Sequence, residues 1–212
     1  MSHLFPDAIE TDRLLLERLS GGTVDPLAYY RICGLDPAIG DVTRYTPWDP
    51  HETPGETLEF LASREGAWNE SRSADYVIRP RVDEDEEGTS DIAGTCGLGV
   101  DWTKRTGDLG IWLRERFWGR GYSGERADAL VTLAFEHLDL EVVSVLVQAD
   151  NERSLRACDR YVERLGGTRN CRLRNWWTMA VDEPTDAIRY TITRASYDPS
   201  SRRSMVSLEA SR

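Results

Sequence analysis

Apolar residues along the 212-residue chain recur with two periods, and the order in which those periods alternate predicts the architecture. Glu10 to Leu19 (ETDRLLLERL) sets an apolar centre between polar flanks and reads as a first strand. Asp25 to Ile32 reads as a short helix, with Asp25 as N-cap and Pro26 at the first helical position, where its missing N–H costs nothing. Thr53-Pro54-Gly55-Glu56 is a stronger helix start of the same kind: Thr53 caps, Glu56 is placed to close a capping box, and Leu58, Leu61 and Ala62 supply the expected buried stripe.

Three strand candidates follow. They are Asp75 to Val82, Ile92 to Trp102, in which Ile92, Cys96, Leu98 and Val100 share one parity, and Asp108 to Leu113, in which Leu109, Ile111 and Leu113 do. Asp83 to Gly88 and Thr103 to Gly107 read as the turns joining them as hairpins. A second long helix is predicted from Ser123 to Leu138, because Ala127, Leu130, Val131, Ala134 and Leu138 recur at helical spacing. Val142 to Val147 is a nearly continuous β-branched run, which indicates a strand buried on both faces and therefore central. Asp150-Asn151 opens a helix carrying Leu155, Cys158, Val162 and Leu165, and Gly166-Gly167 stops it. Asn170 to Val181 and Asp186 to Ala195 are the last strands, and Ser200 to Arg212 shows no periodicity. This order implies an α/β or α+β fold, a mixed sheet of about seven strands covered by helices.

With 40% hydrophobic residues, a chain of this length can bury a full core as one domain. Cys33, Cys96, Cys158 and Cys171 form no C-x-x-C pair, and His3, His51 and His137 are scattered, so no metal site is expected. The net charge of −11 repels phosphodiester backbones and anionic lipid, so neither a nucleic-acid nor a membrane partner is expected. No apolar run reaches the roughly 18 to 20 residues of a membrane helix, and Met1 to Asp7 has no signal-peptide character, so the expected location is the cytoplasm. Lys104 is the sole lysine and acids crowd Asp83 to Glu87. A salt-adapted, halophilic cytoplasm would select such a surface; so would a GC-rich genome with an incidentally acidic one.

The stretch Arg116-Phe117-Trp118-Gly119-Arg120-Gly121-Tyr122-Ser123-Gly124 lies between a predicted strand and the start of an amphipathic helix. Glycines there let backbone N–H groups approach an anion, and the helix start adds unpaired donors and a positive dipole end. Arg114, Arg116 and Arg120 give this segment a sign opposite to that of the whole chain. A P-loop is excluded because no Gly-Lys pair occurs. Gly119, Gly121 and Gly124 formally match G-x-G-x-x-G, but they follow a hairpin strand late in the chain, without the βαβ unit and ribose-binding acid of a dinucleotide site.

R-x-x-G-x-G between a strand and a helix is also the signature of the GNAT acetyltransferases. The chain resembles their RimJ/RimL-type branch in ETDRLLLERL, RYTPWDPHETPGETLEFL, GTCGLGVDW, GDLGIWLRERFWGRGYSGE, DNERSLRACDRYVERLGG, LRNWW and RYTITRASY, in that order. The likeness spans about residues 8 to 198 as a single domain and leaves 1–7 and 199–212 as terminal tails. It implies a splayed mixed sheet that binds acetyl-CoA. The pyrophosphate would lie on Arg116, Gly119, Arg120, Gly121, Tyr122, Ser123 and Gly124, and the pantetheine arm along Ile111, Trp112 and Leu113.

The resemblance also implies an N-acetyltransferase in which an amine attacks the thioester directly, so a base, an oxyanion site and an acid for the departing thiolate are needed. Asp108 stands where relatives often carry a glutamate proposed as base; otherwise it is a solvated strand-start residue. Asn151 and Ser154 match N-x-x-S, in which the asparagine holds the pantetheine portion and the serine can protonate the thiolate; both can equally be helix caps. Tyr161 lies two turns beyond Ser154 on the same face, and tyrosine is the proton donor in other branches. Cys158 shares that face and reads as core.

Members of this branch can carry an acid on the following strand, where this chain has Leu173-Arg174-Asn175-Trp176-Trp177. An α-amine with pKa about 7.7 to 8.0 is neutral to roughly a tenth at pH 7, whereas lysine at about 10.4 is neutral to less than about one part in a thousand. A weakly equipped base therefore favours a protein or peptide α-amine as acceptor. A small amine (polyamine, amino acid or aminoglycoside) is the alternative, and a non-catalytic coenzyme A-binding module another. His51 reads as a surface histidine or an acceptor-site group. One of Trp48, Trp176 and Trp177 is expected to line an acceptor groove or a homodimer interface.

Overall fold

The first predicted strand forms as two, β1 (Ala8–Glu10) and β2 (Leu14–Arg18), because Thr11 turns the chain between them. Its hydroxyl accepts from the Leu14 N–H at 3.0 Å, and its own N–H donates to the Leu14 carbonyl at 2.9 Å. The computed structural model describes residues 4–81, 91–178 and 183–209. The turn expected over Asp83–Gly88, Val82 at one strand end and Met179–Val181 at another lie outside them.

Asp25 caps α1 (Pro26–Cys33) by accepting from the Leu27 N–H at 3.1 Å. A five-residue helix that the pattern does not mark, α2 (Ile39–Thr43), follows. At the start of α3 (Pro54–Asn69) Thr53 accepts from the Glu56 N–H at 3.3 Å, and Glu56 reaches back to the Glu52 N–H at 2.9 Å, one residue earlier than the usual box. The helix buries Thr57, Leu61, Ala67 and Trp68, whereas Leu58 and Ala62, expected inside, are exposed. Trp68 sets this rotation, since Phe5 and Tyr76 each meet its ring edge-on at 5.3 Å.

An antiparallel meander comes next: β3 (Ser73–Pro80), β4 (Gly94–Asp101) and β5 (Thr106–Leu113). Helix α4 (Tyr122–Thr132) passes into a single π turn at Leu133–His137. Then come β6 (Val142–Gln148), α5 (Glu152–Arg164), β7 (Thr168–Thr178), β8 (Pro184–Thr193) and β9 (Ser207–Glu209). The described strands form one sheet in the order β7-β8-β6-β5-β4-β3-β2-β1-β9. It has nine strands instead of about seven. The split of the first strand supplies one, and the tail supplies the other by pairing with β1 over three residues, too short a run for any periodicity to show.

The larger apolar cluster joins the sheet to α4 and α5, and the smaller joins the opposite face to α1, α2 and α3. As expected, β6 is interior, parallel to β5 and antiparallel to β8. It pairs with β5 over only Thr106↔Val142, Gly107↔Val143 and Asp108↔Ser144. Beyond Asp108 the two strands part, each still held by its other neighbour, and the sheet opens between them.

Helix α4 is buried almost all round, including its charged Glu125, Arg126 and Asp128. Glu125 accepts from the Thr11 hydroxyl at 2.6 Å and the Arg13 N–H at 2.8 Å, and pairs with the Arg13 guanidinium at 2.7 Å. One carboxylate therefore fastens the β1–β2 turn to the start of α4, where the glycine-rich segment ends.

Candidate active site

The opening between β5 and β6 is the mouth of a cleft of about 1490 Å³. Its walls are Asp108 to Leu113 on one side and Val145 to Gln148 on the other, closed by the start of α4 and one face of α5. Strand alternation divides β5: Leu109, Ile111 and Leu113 turn to the α4–α5 cluster, and Trp112, with it the parity of Asp108 and Gly110, turns to α1–α3. Beyond Asp108 the β6-facing edge of β5 has no strand partner, so its backbone can bond an extended ligand.

At the end of the cleft Gly119 and Gly121 have φ of 79° and 84°, values an L-residue adopts only with strain. Gly121 is the N-cap of α4 and places no side chain over the helix start. A Cβ at Gly119 would meet nothing within 4 Å, and one at Gly121 only the tip of Arg13 at 3.4 Å. The first N–H groups of α4 thus face the cleft, whose lining includes Gly119, Gly121, Tyr122, Ser123 and Gly124.

The two arginines expected beside this loop are placed differently. Arg116 is bonded to Asp91, which also pairs with Arg114 at 2.9 Å, and it does not line the cleft. Arg120 stands 5.3 Å from the Phe117 ring and gives its carbonyl to Arg13, also outside the lining. The positive side chains in the lining include Arg13, Arg44, Arg126 and Arg203 from elsewhere in the chain and, on α5, Arg153, Arg156, Arg160 and Arg164. Their three- and four-residue spacing was the available signal: it puts all four on one helical face. Arg153 lies over the Trp118 ring at 3.8 Å, so α5 meets the glycine-rich segment across the mouth.

Asn151 is the N-cap of α5, accepting from the Ser154 N–H at 3.1 Å, and both residues line the cleft. Capping and a place in the site are therefore compatible. Deeper in, Tyr161 is buried, its hydroxyl 3.1 Å from the Cys158 sulfur. Burial pushes the Tyr161 phenol well above its ordinary value near 10.0, and the neighbouring thiol adds to that. Arg126 of α4 stands 5.7 Å from the Tyr161 ring and is 1% exposed, yet its Nε and Nη1 have no hydrogen-bond partner among the described residues. A cleft with a bare helix start, positive-φ glycines and a buried guanidinium with two unpartnered nitrogens among the described residues fits a long, multiply anionic thioester such as acetyl-CoA.

On the opposite face Asp108 accepts from the Ser144 hydroxyl at 2.6 Å at the point where the strands part. Next to it Gly110 is open, with nothing within 4 Å of a built Cβ. Gly110 pairs with Gly97, and Gly97 with Asp75 of β3, whose carboxylate leans over Gly97 into space a Cβ would fill. Burial raises the Asp75 carboxyl above its ordinary range, and its Oδ2 has no hydrogen-bond partner among the described residues. Asp75 was not singled out from the sequence, because only pairing across two glycines brings it toward Asp108. Val42, Arg44, Tyr45 and Thr46 line this side of the cleft, and Trp177 reaches it from β7. Trp176 is half exposed, and Trp48 packs on Trp112 at 5.4 Å. His51 lies outside the lining, bonded through Nδ1 to the Thr57 hydroxyl at 2.8 Å, and burial lowers its pKa.

Among the described residues no group of three or more His, Cys, Asp or Glu could hold a metal ion, and no helix is long and apolar enough to cross a membrane. The model of the acetyltransferase (GNAT) domain matches residues 13–161. The chain is 24% identical over 153 residues to the uncharacterised N-acetyltransferase p20 of Bacillus licheniformis, covering 71% of this chain and 78% of that protein. Its fold is similar to that of Mycobacterium smegmatis RimJ in complex with CoA-disulfide, with a TM-score of 0.74 at 16% identity over 91% of this chain and 90% of that one. It is also similar to the spermidine N-acetyltransferase of Vibrio cholerae in complex with CoA and spermine, with a TM-score of 0.67 at 16% identity over 87% and 97%. With the splayed sheet, the glycine-capped helix and this match over most of its length, the chain belongs to the GNAT acetyltransferase family and is an N-acetyltransferase.

Proposed function

We propose that the protein transfers the acetyl group of acetyl-CoA to an amine, with a protein or peptide α-amine preferred, inside the β5–β6 cleft. The parting of β5 and β6 at Asp108, directly before a glycine-capped helix start, carries this reading. When bound, acetyl-CoA supplies an activated thioester carbonyl. The N–H groups at the start of α4, with Arg153, Arg156 and Arg160, hold its phosphates, and the backbone edge of β5 before Leu113, whose carbonyl accepts from the Trp118 indole, holds the pantetheine arm with Asn151.

Asp108 puts a carboxylate on the side of the cleft that Val42, Thr46 and Trp177 border, with Asp75 over Gly97 and outside the lining. Asp108 draws a cationic amine toward the open space over Gly110 and takes its proton, directly or through water. With a lone carboxylate to take the proton, an acceptor whose own pKa is low is favoured. Ser154 and Tyr161 are the acids available to the departing thiolate, since both line the cleft and the buried phenol stays protonated.

Calorimetric titration with acetyl-CoA, coenzyme A and NADH, followed by turnover with peptide α-amines and spermidine in parallel, tests the assignment. Binding of the coenzyme A pair alone, with faster turnover of peptides, is expected. Turnover of spermidine alone overturns the α-amine preference, and bound acetyl-CoA without turnover of any amine makes the chain a binding module. Ser154→Ala and Tyr161→Phe are expected to lower kcat, the acid by about 100-fold, with acetyl-CoA affinity held within about threefold. Whichever variant leaves kcat unchanged is removed as the acid.

A further inference from the structure

Arg126 is the least explained charge in the molecule. It is 1% exposed in the middle of the fold, and neither Nε nor Nη1 has a hydrogen-bond partner among the described residues. Neighbouring acids on α4 are committed elsewhere: Glu125 to Arg13 at 2.7 Å, and Asp128 to Arg164 at 2.8 Å. A buried cation without a counter-ion is strongly destabilising, because the water it gives up is not replaced, so a core position would sooner hold an apolar residue. Arg126 differs from an ordinary core residue in lining the cleft, beside Tyr161 and Cys158.

We propose that Arg126 is the built-in counter-cation for the coenzyme A thiolate that departs during acetyl transfer. The inference rests on the acetyl-transfer reading above. As the amine nitrogen bonds to the thioester carbon, the carbon–sulfur bond breaks and the sulfur leaves with the electron pair. The guanidinium holds that negative charge until the Tyr161 hydroxyl gives its proton to sulfur. The acceptor nitrogen loses a proton in the same turnover and the phenolate recovers one, so the net products are amide and thiol. Arg126 answers a difficulty that burial creates. A phenol held well above 10 is a poor donor to a thiolate whose acid titrates near about 8.5, and a cation beside both groups eases the transfer by stabilising the phenolate and the thiolate alike. The titratable groups around the guanidinium are Tyr161 and Cys158 of α5 and Cys96 of β4, all acids whose anions it favours.

The experiment is an ultraviolet titration of the thiol of coenzyme A bound to the wild-type protein and to Arg126→Met, against free coenzyme A in the same buffer. Calorimetry with acetyl-CoA and desulfo-coenzyme A runs alongside. In the wild type the bound thiol is expected to titrate at lower pH than the free one, by about a unit, a tenfold gain in thiolate. Arg126→Met is expected to abolish that displacement and lower kcat, to hold acetyl-CoA and desulfo-coenzyme A affinity within about threefold, and to leave the unliganded protein as thermally stable or more so. A bound thiol in the wild type that titrates at or above the free value overturns the proposal without any variant. Equal losses of acetyl-CoA and desulfo-coenzyme A affinity overturn it too, and assign the guanidinium to the phosphates. Failure of coenzyme A to bind the wild type would sink the acetyl-transfer reading together with this one, and that result is distinct from both.

Discussion

Gly121→Val is expected to cut acetyl-CoA affinity by about 10- to 100-fold while leaving the fold in place. Two costs add. The residue sits at φ 84°, where a β-branched side chain is strained by about 1 to 3 kcal/mol. The new side chain also stands at the N-cap of α4, beside Arg13 at 3.4 Å, over the N–H groups that would meet the pyrophosphate. Because 1.4 kcal/mol is about tenfold in affinity, relief of the strain by rotating the loop costs the cofactor site its donors instead. Gly66→Ala is the control: it lies within α3, a Cβ there meets nothing within 4 Å, and alanine favours a helix. Calorimetric titration of both variants decides the matter. If Gly121→Val is folded and binds acetyl-CoA as tightly as the wild type, the helix start is not the phosphate site.

That loop was legible because its chemistry is local. Glycines that must adopt positive φ, followed by a helix, leave a mark within nine consecutive residues, as do Asp25 and Thr53 at their helix starts. Strand β6 was legible for a related reason, since burial on both faces forces an uninterrupted β-branched run. What could not be read depends on partners far apart in the chain. Arg116 bonds Asp91, both Arg116 and Arg120 lie by the Phe117 ring, and the sequence near the loop does not reveal that Arg153, Arg156, Arg160 and Arg164 of α5 line the cleft. The face of α3 was misjudged because two exposed apolar residues, Leu58 and Ala62, outweighed a single Trp68 in the pattern, whereas in the core the tryptophan decides. Asp75 and Arg126 carry no local signature at all. Each matters through what lies across a strand or helix from it, Gly97 and Gly110 in one case and Tyr161 in the other.

Gly110 separates the two halves of the site, and a series of growing side chains at that position is expected to lower acceptor turnover step by step while sparing the donor. A Cβ there meets nothing within 4 Å and φ is not positive, so alanine, valine and phenylalanine can all be accommodated without backbone strain. Its parity matches Asp108 and Trp112, so the added side chain points to the α1–α3 face and away from the face on which Leu109 and Ile111 meet α4 and α5. Phenylalanine would fill the space between Asp108, Val42 and Thr46 that the amine must cross. The expected result is a graded fall in kcat/KM for the amine, small for Gly110→Ala and about 100-fold or more for Gly110→Phe, with acetyl-CoA affinity within about threefold and Tm little changed. Steady-state kinetics against both substrates, with calorimetry for acetyl-CoA, reads the split. If affinity for acetyl-CoA falls in step with amine turnover, the space above Gly110 belongs to the donor, and the acceptor must approach from elsewhere than the Asp108 face.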